Sequence, residues 1–509
     1  MSDLNREFLA ALGELADEPV DQTGPTGDFV YIDISSIDRE VKKVSDPKPL
    51  MLAQAPSRAK QVLKAGDVLV SMTRPNLNAV ALVPEHLDGA IGSTGFHVLR
   101  SRWLTPGFLL ALVQTQNFID AMSEVVQGAL YPAVRPRDIA AYTFSFETPV
   151  QQTRIVAKLE ELLSDLDAGV AELKAAQKKL GQYRQSLLKA AVEGALTAEW
   201  RAKNTPTETG AQLLERILQE RRARWEAKQL AKFESQGKAP PKGWQAKYPE
   251  PVQLDITNLP ALPQGWVWAS VEQIASDERY SLSIGPFGSN LKVPDYRDAG
   301  VPLVFVRNIR SGKYGGSFTK YVTREKAEEL SAHSITAGDV LITKMGEPPG
   351  DADVYPDDQP PAIITADCIK VRCWAGLVRP DFLKTVINSF IGQRQIEPMT
   401  QGVAQKKVSL GRFTSLAVPI PSIEEQDWLM NLVAAANSQA VAQEAAVDHS
   451  LKQSTAQRQN ILRAAFAGQL VPQDPNDEPA SVLLARIRAE RAARDAVKKP
   501  RGRQAKEVA

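Results

Sequence analysis

The feature that most constrains this chain is an internal repeat with a spacing of 274 residues. The segment LLKAAVEGAL at 187–196 returns as ILRAAFAGQL at 461–470. A second pair follows, because LLERILQERRAR at 213–224 recurs as LLARIRAERAAR at 483–494, 270 residues later. These spacings far exceed any solenoid repeat, so the chain contains a duplicated module. Duplication predicts pseudo-two-fold symmetry, which suits a partner with two-fold symmetry of its own, such as double-stranded DNA.

Length and charge limit what the module can be. A chain of 509 residues has room for roughly three or four domains of about 150 residues. Its 61 Lys and Arg nearly balance 60 Asp and Glu, which excludes a polycation that coats nucleic acid unspecifically. Residues 1–149 hold 13 basic and 18 acidic side chains, a net charge of −5. Any nucleic-acid surface is therefore expected to be local.

Cysteine and histidine usage favours a reducing compartment. The chain has two cysteines, Cys368 and Cys373, and four histidines without the spacing of a zinc site. The first residues, MSDLNRE, have neither a basic start nor an apolar core, and no apolar run reaches about 18 residues. We therefore expect a cytoplasmic protein without signal peptide, membrane span or bound metal.

A seven-residue leucine spacing marks residues 150–200. Such a spacing is typical of the seam of a two-stranded coiled coil, and about 50 residues of helix would form a rod of roughly 75 Å. The sequence therefore predicts a first long helix here. Its seam leucines are Leu159, Leu166, Leu173, Leu180 and Leu187.

The second copy of the helix, at 421–472, has a weaker seam. The matching positions are Val433, Ala440, Val447, Ser454 and Ile461. A helix with so few large apolar seam residues needs a partner whose seam is more apolar. The first helix, running antiparallel, is the simplest candidate. We therefore expect Leu166 and Leu173 to be buried against the second helix.

Short apolar runs broken by Gly and Pro precede each long helix and indicate strand-rich globular domains. Both stretches contain AGDVL, at 65–69 and 337–341, so these domains are copies as well. The predicted fold is α+β, with two globular mixed α/β domains joined by two long antiparallel coiled-coil helices. The expected boundaries are a first domain at 1–149, a long helix at 150–200, a helix plus Pro-rich linker at 201–258, a second domain at 259–420, a second long helix at 421–472, and a C-terminal helix with a basic tail at 473–509.

Three segments in the second copy resemble the specificity subunit of type I restriction-modification enzymes. They are LPQGWVW at 262–268, IGPFGS at 284–289 and PIPSIEEQ at 419–426. The first copy departs from this pattern, since it lacks the LPxGW opening and enters its helix through FETPVQQ at 146–152. Its YIDISSID at 31–38 and RPNLN at 74–78 resemble another subgroup of the same target-recognition domain. The resemblance extends over nearly the whole chain.

What the resemblance implies is a non-catalytic subunit that selects the DNA sequence for its partners. Each globular domain would read one half of an interrupted target in double-stranded DNA. The long helices would hold the halves apart and dock two methyltransferase subunits and, through them, restriction subunits. S-adenosylmethionine, ATP and Mg would then belong to those partners, and this chain would carry no cofactor.

Two other classes of protein remain open, a self-contained DNA-modifying enzyme and a coiled-coil scaffold. An adenine methyltransferase needs an Asn/Asp-Pro-Pro-Tyr/Phe motif, which does not occur; DQPPA at 358–362 lacks its adjacency and aromatic residue. SGKYGG at 311–316 lacks the spacing of a phosphate-binding loop. A nuclease site built on Asp33, Glu40 and Lys42 competes with an ordinary charged strand and turn, which we favour.

Several further residues have an ordinary structural interpretation. His97 is expected in the core or at a sheet edge, and the two cysteines are expected to be strand thiols. Charged residues at i, i+4 spacing on the helix that contains 213–224 are typical of a solvated, salt-bridged face, and the same pattern recurs in the second copy. They are Arg216, Glu220, Arg221 and Arg224, which recur as Arg486, Glu490, Arg491 and Arg494. Because this pattern recurs in both copies, a docking surface is an equal alternative.

Base recognition in the major groove uses Arg or Lys with guanine and Asn or Gln with adenine, so loops rich in these residues are the candidates. Ser283 and Ser289 flank a Gly-Pro-Phe-Gly turn that is suited to approach phosphate. The candidate DNA contacts are Arg74, Asn76, Asn78, Arg135 and Arg137 in the first domain, and Ser283, Ser289, Arg307, Asn308, Arg310, Lys313, Gln401, Gln405, Lys406 and Lys407 in the second. The acidic balance of the first domain does not exclude this, since partner subunits can neutralise phosphates while this chain reads bases.

Overall fold

The computed structural model describes residues 8–16, 18–126, 132–251, 254–309, 314–346, 348–402 and 406–498. Packing divides the chain into two compact units, one of Met1–Ala175 with Val447–Ala509 and one of Ala176–Ala446. The division passes through both long helices. Each unit therefore contains one globular domain together with part of each helix.

The first globular domain has two main sheets and four helices. The first sheet has the order β5-β2-β9-β6, and the second has the order β10-β7-β8-β4-β3. A two-stranded pair, β1 with β11, closes the domain next to the long helix. The elements are β1 (Leu9–Ala11), α1 (Leu12–Leu15), β2 (Phe29–Ile32), β3 (Ile37–Asp38), β4 (Lys43–Val44), β5 (Lys48–Leu50), β6 (Ala59–Val62), β7 (Val68–Ser71), β8 (Val80–Leu82), β9 (Ile91–Ser93), β10 (Phe96–Leu99), α2 (Pro106–Val113), α3 (Gln116–Val125), α4 (Pro136–Ala140) and β11 (Thr143–Ser145).

Three helices lead from the first domain to the second. The first is the long helix α5, and the next two are separated by short turns. They are α5 (Pro149–Val192), α6 (Ala198–Lys203) and α7 (Gly210–Ser235). Part of the predicted Pro-rich linker folds back onto α7, where Trp244 stacks on Trp225 with ring centroids 5.9 Å apart.

The second globular domain has sheets in the order β15-β14-β19-β16 and β13-β20-β17-β18, with the pairs β12-β23 and β21-β22. A long helix and a shorter one follow it. The elements are β12 (Val267–Ser270), α8 (Val271–Ile274), β13 (Leu282–Ile284), β14 (Val301–Val304), α9 (Val306–Ile309), β15 (Tyr321–Val322), α10 (Arg324–Glu329), β16 (Ser334–Ile335), β17 (Val340–Thr343), β18 (Ala352–Val354), β19 (Ala362–Ile364), β20 (Cys368–Val371), α11 (Pro380–Asn388), α12 (Phe390–Met399), β21 (Thr400–Gln401), β22 (Lys407–Val408), α13 (Leu410–Phe413), β23 (Ala417–Ile420), α14 (Ile423–Phe466) and α15 (Ala480–Lys498).

The two domains share one topology, which confirms the duplication. In the first sheets, β2 pairs antiparallel with β5 and parallel with β9, as β14 does with β15 and β19. In the second sheets, β7 lies between β10 and β8, as β17 lies between β20 and β18. The copies differ at the sheet edges: β4 and β3 extend the first domain beyond β8, whereas β13 extends the second beyond β20.

The AGDVL motif has the same structural role in both domains. Its aspartate is buried, and it pairs through two oxygens with an arginine that follows the neighbouring strand. Asp67 accepts from Arg100 at 2.7 and 2.6 Å, and Asp339 accepts from Arg372 at 2.8 and 2.8 Å. These bidentate bonds are of the strong, charge-assisted kind. The motif therefore anchors β7 and β17 to their sheets.

The long helices α5 and α14 run antiparallel in each unit. In the first unit, Gln151 donates to the carbonyls of Val471 and Pro472, while Asp167 further along α5 pairs with Arg458. In the second unit, Arg184 pairs with Glu444 at 2.9 Å. As the residue numbers along α5 rise from 151 to 184, the numbers of the residues that they contact fall from 472 to 444. This confirms the predicted antiparallel arrangement.

The seam between the helices is less buried than its leucine spacing predicts. Leu159, Val433 and Ala440 are buried. The expectation of full burial for Leu166 and Leu173 is not met, because both are half-buried. The physical reason is that only two helices flank the seam, so each side chain keeps one side toward solvent. The remaining five seam residues are half-buried as well: Leu180, Leu187, Val447, Ser454 and Ile461.

Each globular core is completed by helices that are distant in sequence. In the first unit, Leu462 of α14 and Leu484 and Ile487 of α15 belong to the same buried cluster as Phe108 and Phe146. In the second unit, the corresponding cluster contains Ala191 of α5, Leu214 and Ile217 of α7, Phe382 and Leu429. The repeat of α7 as α15 thus reflects equivalent packing in the two units.

The repeated arginines of α7 and α15 act inside the chain. Arg221 donates to the carbonyls of Glu272 and Gln273, at 2.8 and 3.2 Å, and Arg491 donates to the carbonyl of Gly13. These contacts join α7 to α8 and α15 to α1. The recurrence of Arg221 as Arg491 is therefore explained by equivalent intramolecular contacts. Arg216 pairs with Glu208 and, at i+4, with Glu220, so the predicted salt-bridged face is confirmed on α7, and Arg486 pairs with Glu478.

A glutamine fixes the start of each long helix to its domain. Gln152 and Gln426 are both fully buried. Each side-chain oxygen accepts a backbone N–H, from Thr105 at 2.7 Å and from Arg379 at 2.9 Å respectively. Each side-chain amide donates to two backbone carbonyls. The orientation with which each helix leaves its domain is therefore set by the same three hydrogen bonds.

Because the two cores are built in the same way, equivalent substitutions in them should lower the free energy of unfolding of each unit by a similar amount. Leu484→Ala should destabilise the first unit and Leu214→Ala the second, each by about 2–5 kcal/mol, because each removes a buried leucine side chain. Hydrogen exchange during urea titration measures the two units separately. Loss of protection in the second unit alone on Leu484→Ala would contradict the assignment of α15 to the first core.

Candidate nucleic-acid interface

In the first domain, the segment after β7 lies beside the segment before α4. Val134 donates its N–H to the carbonyl of Met72 at 2.8 Å, and Arg74 donates to the carbonyl of Pro132 at 2.9 Å. Between them, Thr73 and Ala133 form an antiparallel bridge. The structure thereby brings together two groups of predicted DNA contacts that are about 60 residues apart in sequence.

The side chains on this edge are exposed and basic. Arg74, Asn76, Arg135 and Arg137 all project from the surface. Arg74 has a positive φ of 49°, a conformation that residues other than glycine seldom adopt. Arg135 precedes α4, where its N–H donates to Asp138. We refer to these four exposed residues as the first-domain edge, and their contact with DNA stays a prediction.

Asn78, the fifth candidate of this domain, has a role within the fold. It is buried, and its Nδ2 donates to the carbonyl of Val113 at 2.8 Å. Its Oδ1 and its backbone carbonyl accept from Lys42 Nζ at 2.9 and 2.7 Å. These bonds hold the end of the Arg74–Asn78 loop in place, so Asn78 positions the loop and is not presented to a base.

The second domain repeats this backbone arrangement. Val408 donates to the carbonyl of Lys344 at 3.0 Å, and Met345 forms an antiparallel bridge with Lys407. Lys344 and Met345 follow β17 as Met72 and Thr73 follow β7. Gln401 of β21 pairs with Lys407 of β22. The predicted group around Gln401 is therefore attached to the end of the central strand β17.

Basic side chains again occupy the edge. Lys406, Lys407 and Gln401 are exposed, and the ammonium of Lys344 lies 5.9 Å from the ring centroid of Phe287. In the orientation that satisfies its amide, Gln401 accepts from the Arg412 guanidinium at 2.6 Å. Ser289 is exposed and bonds the neighbouring Asn290. We refer to Phe287, Lys344, Gln401, Lys406 and Lys407 as the second-domain edge.

Three further candidates lie elsewhere in the second domain. Arg307 is exposed on α9, stacks 4.4 Å from the Phe305 ring centroid and bonds Thr319. Asn308 is buried, accepts from the N–H of Phe305 and donates to the carbonyl of Gly315, so it shapes its own loop. Ser283 is buried in β13. Like Asn78, Asn308 is not presented to a base, and Ser283, predicted near phosphate, is buried.

Three predicted contacts lie outside the described residues. They are Arg310, Lys313 and Gln405.

The residues of the alternative nuclease site do not assemble. Asp33 accepts from Ser35 and pairs with Lys48, whereas Glu40 pairs with Lys174 of α5. Lys42 bonds Asn78, as described above. Within the described ranges, no group of three or more His, Cys, Asp or Glu side chains is arranged to hold a metal. In the same ranges, no helix has the length and apolarity to cross a membrane.

The remaining singled-out residues behave as strand residues. His97 lies in β10 opposite Val70, and burial lowers the pKa of its imidazole. Cys368 and Cys373 are free thiols, and burial raises the pKa of each to about 12. Thiols with such pKa values are unreactive at neutral pH.

Sequence reasoning missed Lys344 and Phe287 as parts of the second-domain edge, and Arg412 as the partner of Gln401. Phe287 lies within the Gly-Pro-Phe-Gly turn, but the sequence analysis predicts contacts only for the serines that flank this turn. Lys344 lies three residues after the AGDVL motif, as Met72 does in the first copy. Alignment of the two motifs therefore places Lys344 beside the residues that are equivalent to the Arg74 loop. Arg412 carried no signal, because its proximity to Gln401 depends on the β21-β22 hairpin.

Comparison with known proteins supports the predicted resemblance. No family model matches the chain. The chain is 23% identical over 396 residues to the type I restriction enzyme EcoDI specificity subunit of Escherichia coli, covering 74% of each protein. It is 21% identical over 463 residues to the EcoKI specificity subunit of Escherichia coli strain K12, covering 85% of this chain and 82% of that subunit.

A solved structure supports the fold. A chain from work on complex assembly and conformational transition of the type I R-M system superposes with a TM-score of 0.65 at 23% identity. The superposition covers 91% of this chain and 97% of the solved one. The resemblance to specificity subunits expected from the sequence motifs is thereby confirmed, together with the fold class.

The Lys42–Asn78 contact predicts a pH-dependent stability. Burial, followed by the nearby Arg458 and Arg39, lowers the pKa of Lys42 to about 8, from 10.5. Between these values the unfolded chain binds more protons at this site than the folded chain, so the stability contributed by Lys42 rises with pH. The unfolding free energy of the wild type minus that of Lys42→Met should therefore increase across this window in urea titrations. Lys43→Met, which removes an exposed charge, is the control. If this free-energy difference stayed constant or fell with pH, the pKa of Lys42 would not be lowered in the folded chain.

Proposed function

Because this chain is similar to type I specificity subunits along most of its length, we propose that it is the DNA sequence-recognition subunit of a type I restriction-modification complex. The observation that carries the proposal is the equivalent placement of the two edges. Each follows an inner strand of its own sheet, β7 or β17, and is joined to that strand by the same backbone bridge. The first edge exposes Arg and Asn and the second exposes Lys and Gln, which are groups that bond guanine or adenine in the major groove.

Two related but diverged edges suit an interrupted target with two different halves. The elements shared by the domains are the buried Asp–Arg pair, the glutamine at the start of each helix and the sheet order. The elements that differ are the exposed side chains of the edges and the strands β3, β4 and β13. Each domain would thus read one half-site, and the long helices would hold the two readers apart.

The proposal assigns catalysis to partner subunits. This chain would work without chemistry of its own, in the cytoplasm, and S-adenosylmethionine, ATP and Mg would bind to the methyltransferase and restriction subunits. The dispersal of Asp33, Glu40 and Lys42 to separate contacts supports this assignment. A self-contained DNA-modifying enzyme has no assembled site in its favour among the described residues.

We place the docking of two methyltransferase subunits on the long helices. In the second unit, these helices leave several large apolar side chains exposed: Tyr183 of α5, with Trp428, Leu432 and Val441 of α14. Exposed apolar side chains on a helical surface are typical of protein–protein contacts. The half-buried seam between Leu166 and Leu187 offers further apolar surface. A coiled-coil scaffold protein that does not bind DNA would also use these helices. That alternative function does not account for the exposed side chains of the two edges.

Methylation mapping tests the proposal. We expect cells that produce this chain with its methyltransferase partner to methylate one bipartite interrupted site genome-wide, and cells lacking the chain to lose that methylation. The purified chain alone should transfer no radiolabelled methyl group to DNA. Methyl transfer by the chain alone, or methylation that persists without it, would contradict the proposal.

A further inference from the structure

Phe287 of the second-domain edge leaves 65% of its surface exposed. A phenyl ring exposed to this extent contributes little to the packing of its own domain. The loop that carries the ring is nevertheless held by backbone hydrogen bonds to the sheet and within its own turn. The ring is therefore available to contact a partner molecule outside the domain.

The base of the loop is fixed against the sheet. Gly285 donates its N–H to the carbonyl of Cys368 at 3.1 Å. A Cβ at this position would lie 2.0 Å from the carbonyl oxygen of Thr365, so only glycine fits. The strand that leads into the loop, β13, has no counterpart among the described strands of the first domain. The position of Phe287 therefore depends on a strand that is specific to the second domain.

A turn fixes the tip of the loop. Asn290 donates its N–H to the carbonyl of Phe287 at 2.8 Å, with Gly288 and Ser289 between them. A Cβ at Gly288 would contact no atom within 4 Å, so the tip is open on this side. The phenyl ring thus projects from a defined backbone.

The surroundings of the ring are cationic. The Lys344 ammonium lies 5.9 Å from the ring centroid, and the backbone of Lys344 is bonded to the hairpin that carries Lys406 and Lys407. Positive side chains of this kind attract phosphates, whereas a purely protein partner would more often meet an uncharged centre. Charge complementarity therefore favours duplex DNA as the occupant.

We propose that Phe287 reads a thymine through its C5-methyl group in the major groove. This inference rests on the proposed function, and it adds an apolar specificity contact to the polar ones. Thymine is the base that presents an apolar group in the major groove, and phenylalanine is among the side chains that contact it. Lys344, Lys406 and Lys407 would place the neighbouring phosphates so that the ring meets the base edge.

The test uses the full chain in complex with its methyltransferase partner and a duplex that carries the mapped methylation site. Each thymine is replaced in turn by uracil, which removes only the methyl group. The wild-type complex should bind about fourfold more weakly at one position, the factor expected for one buried methyl group. Phe287→Ala should weaken binding at least about tenfold and remove the sensitivity to uracil at that position.

Phe390→Ala is the matched control. Phe390 is 52% exposed and lies beneath the Arg394 guanidinium, but it lines a groove bordered by Lys189 and Asp255. It should leave both affinity and uracil sensitivity unchanged.

Two results would overturn the inference. In one, Phe287→Ala weakens binding but every uracil substitution has the same effect in both complexes, which would exclude a thymine-methyl contact. In the other, Phe287→Ala leaves DNA binding intact and weakens assembly with the methyltransferase, which would make the ring a protein contact. In either case the methylation of a bipartite site by the wild-type complex would still stand, so the proposed function is tested separately.

Discussion

The rest of the structure depends on how the two hydrophobic cores are closed. The core of the first unit contains Phe108 and Phe146 near the start of the chain and Leu462 and Leu484 near its end. The second core joins Ala191 and Leu214, which precede the second domain, to Phe382 and Leu429 within and after it. The two long helices enter both cores, so packing fixes where each helix begins and ends. Within each unit this also fixes the antiparallel pairing, although the seam itself is only half-buried.

The two copies keep the interactions that build the domain and differ where side chains are exposed. Asp67 with Arg100 and Asp339 with Arg372 form the same bidentate pair at equivalent positions. The same holds for Gln152 and Gln426. Exposed side chains at the two edges, by contrast, share the chemistry of donors and acceptors but not the sequence. Such a division suits a protein that presents two different recognition surfaces on one framework.

The sequence predicted the framework better than the recognition surface. The leucine spacing and the repeated segments predicted two long antiparallel helices and two copied domains, because periodicity and repetition are properties of the chain itself. The polar loop composition predicts DNA contacts at Asn78, Asn308 and Ser283, yet all three are buried, and the two asparagines bond the backbone of their own domain. Composition cannot distinguish an Asn that holds a loop from one that faces a base, since both occur beside turns. The pairing of Lys344 with the β21-β22 hairpin depends on tertiary contacts that no local pattern encodes.

The central claim is that two copies of one domain read two half-sites independently. Exchanging residues 259–420 for the equivalent domain of a related subunit, followed by genome-wide mapping of methylated sites, tests it most directly. The cores predict that the exchanged domain folds against the resident α7 and α14. We predict that the bases of one half-site change while those of the other half stay the same. Altered bases in both halves would contradict independent recognition by the two domains.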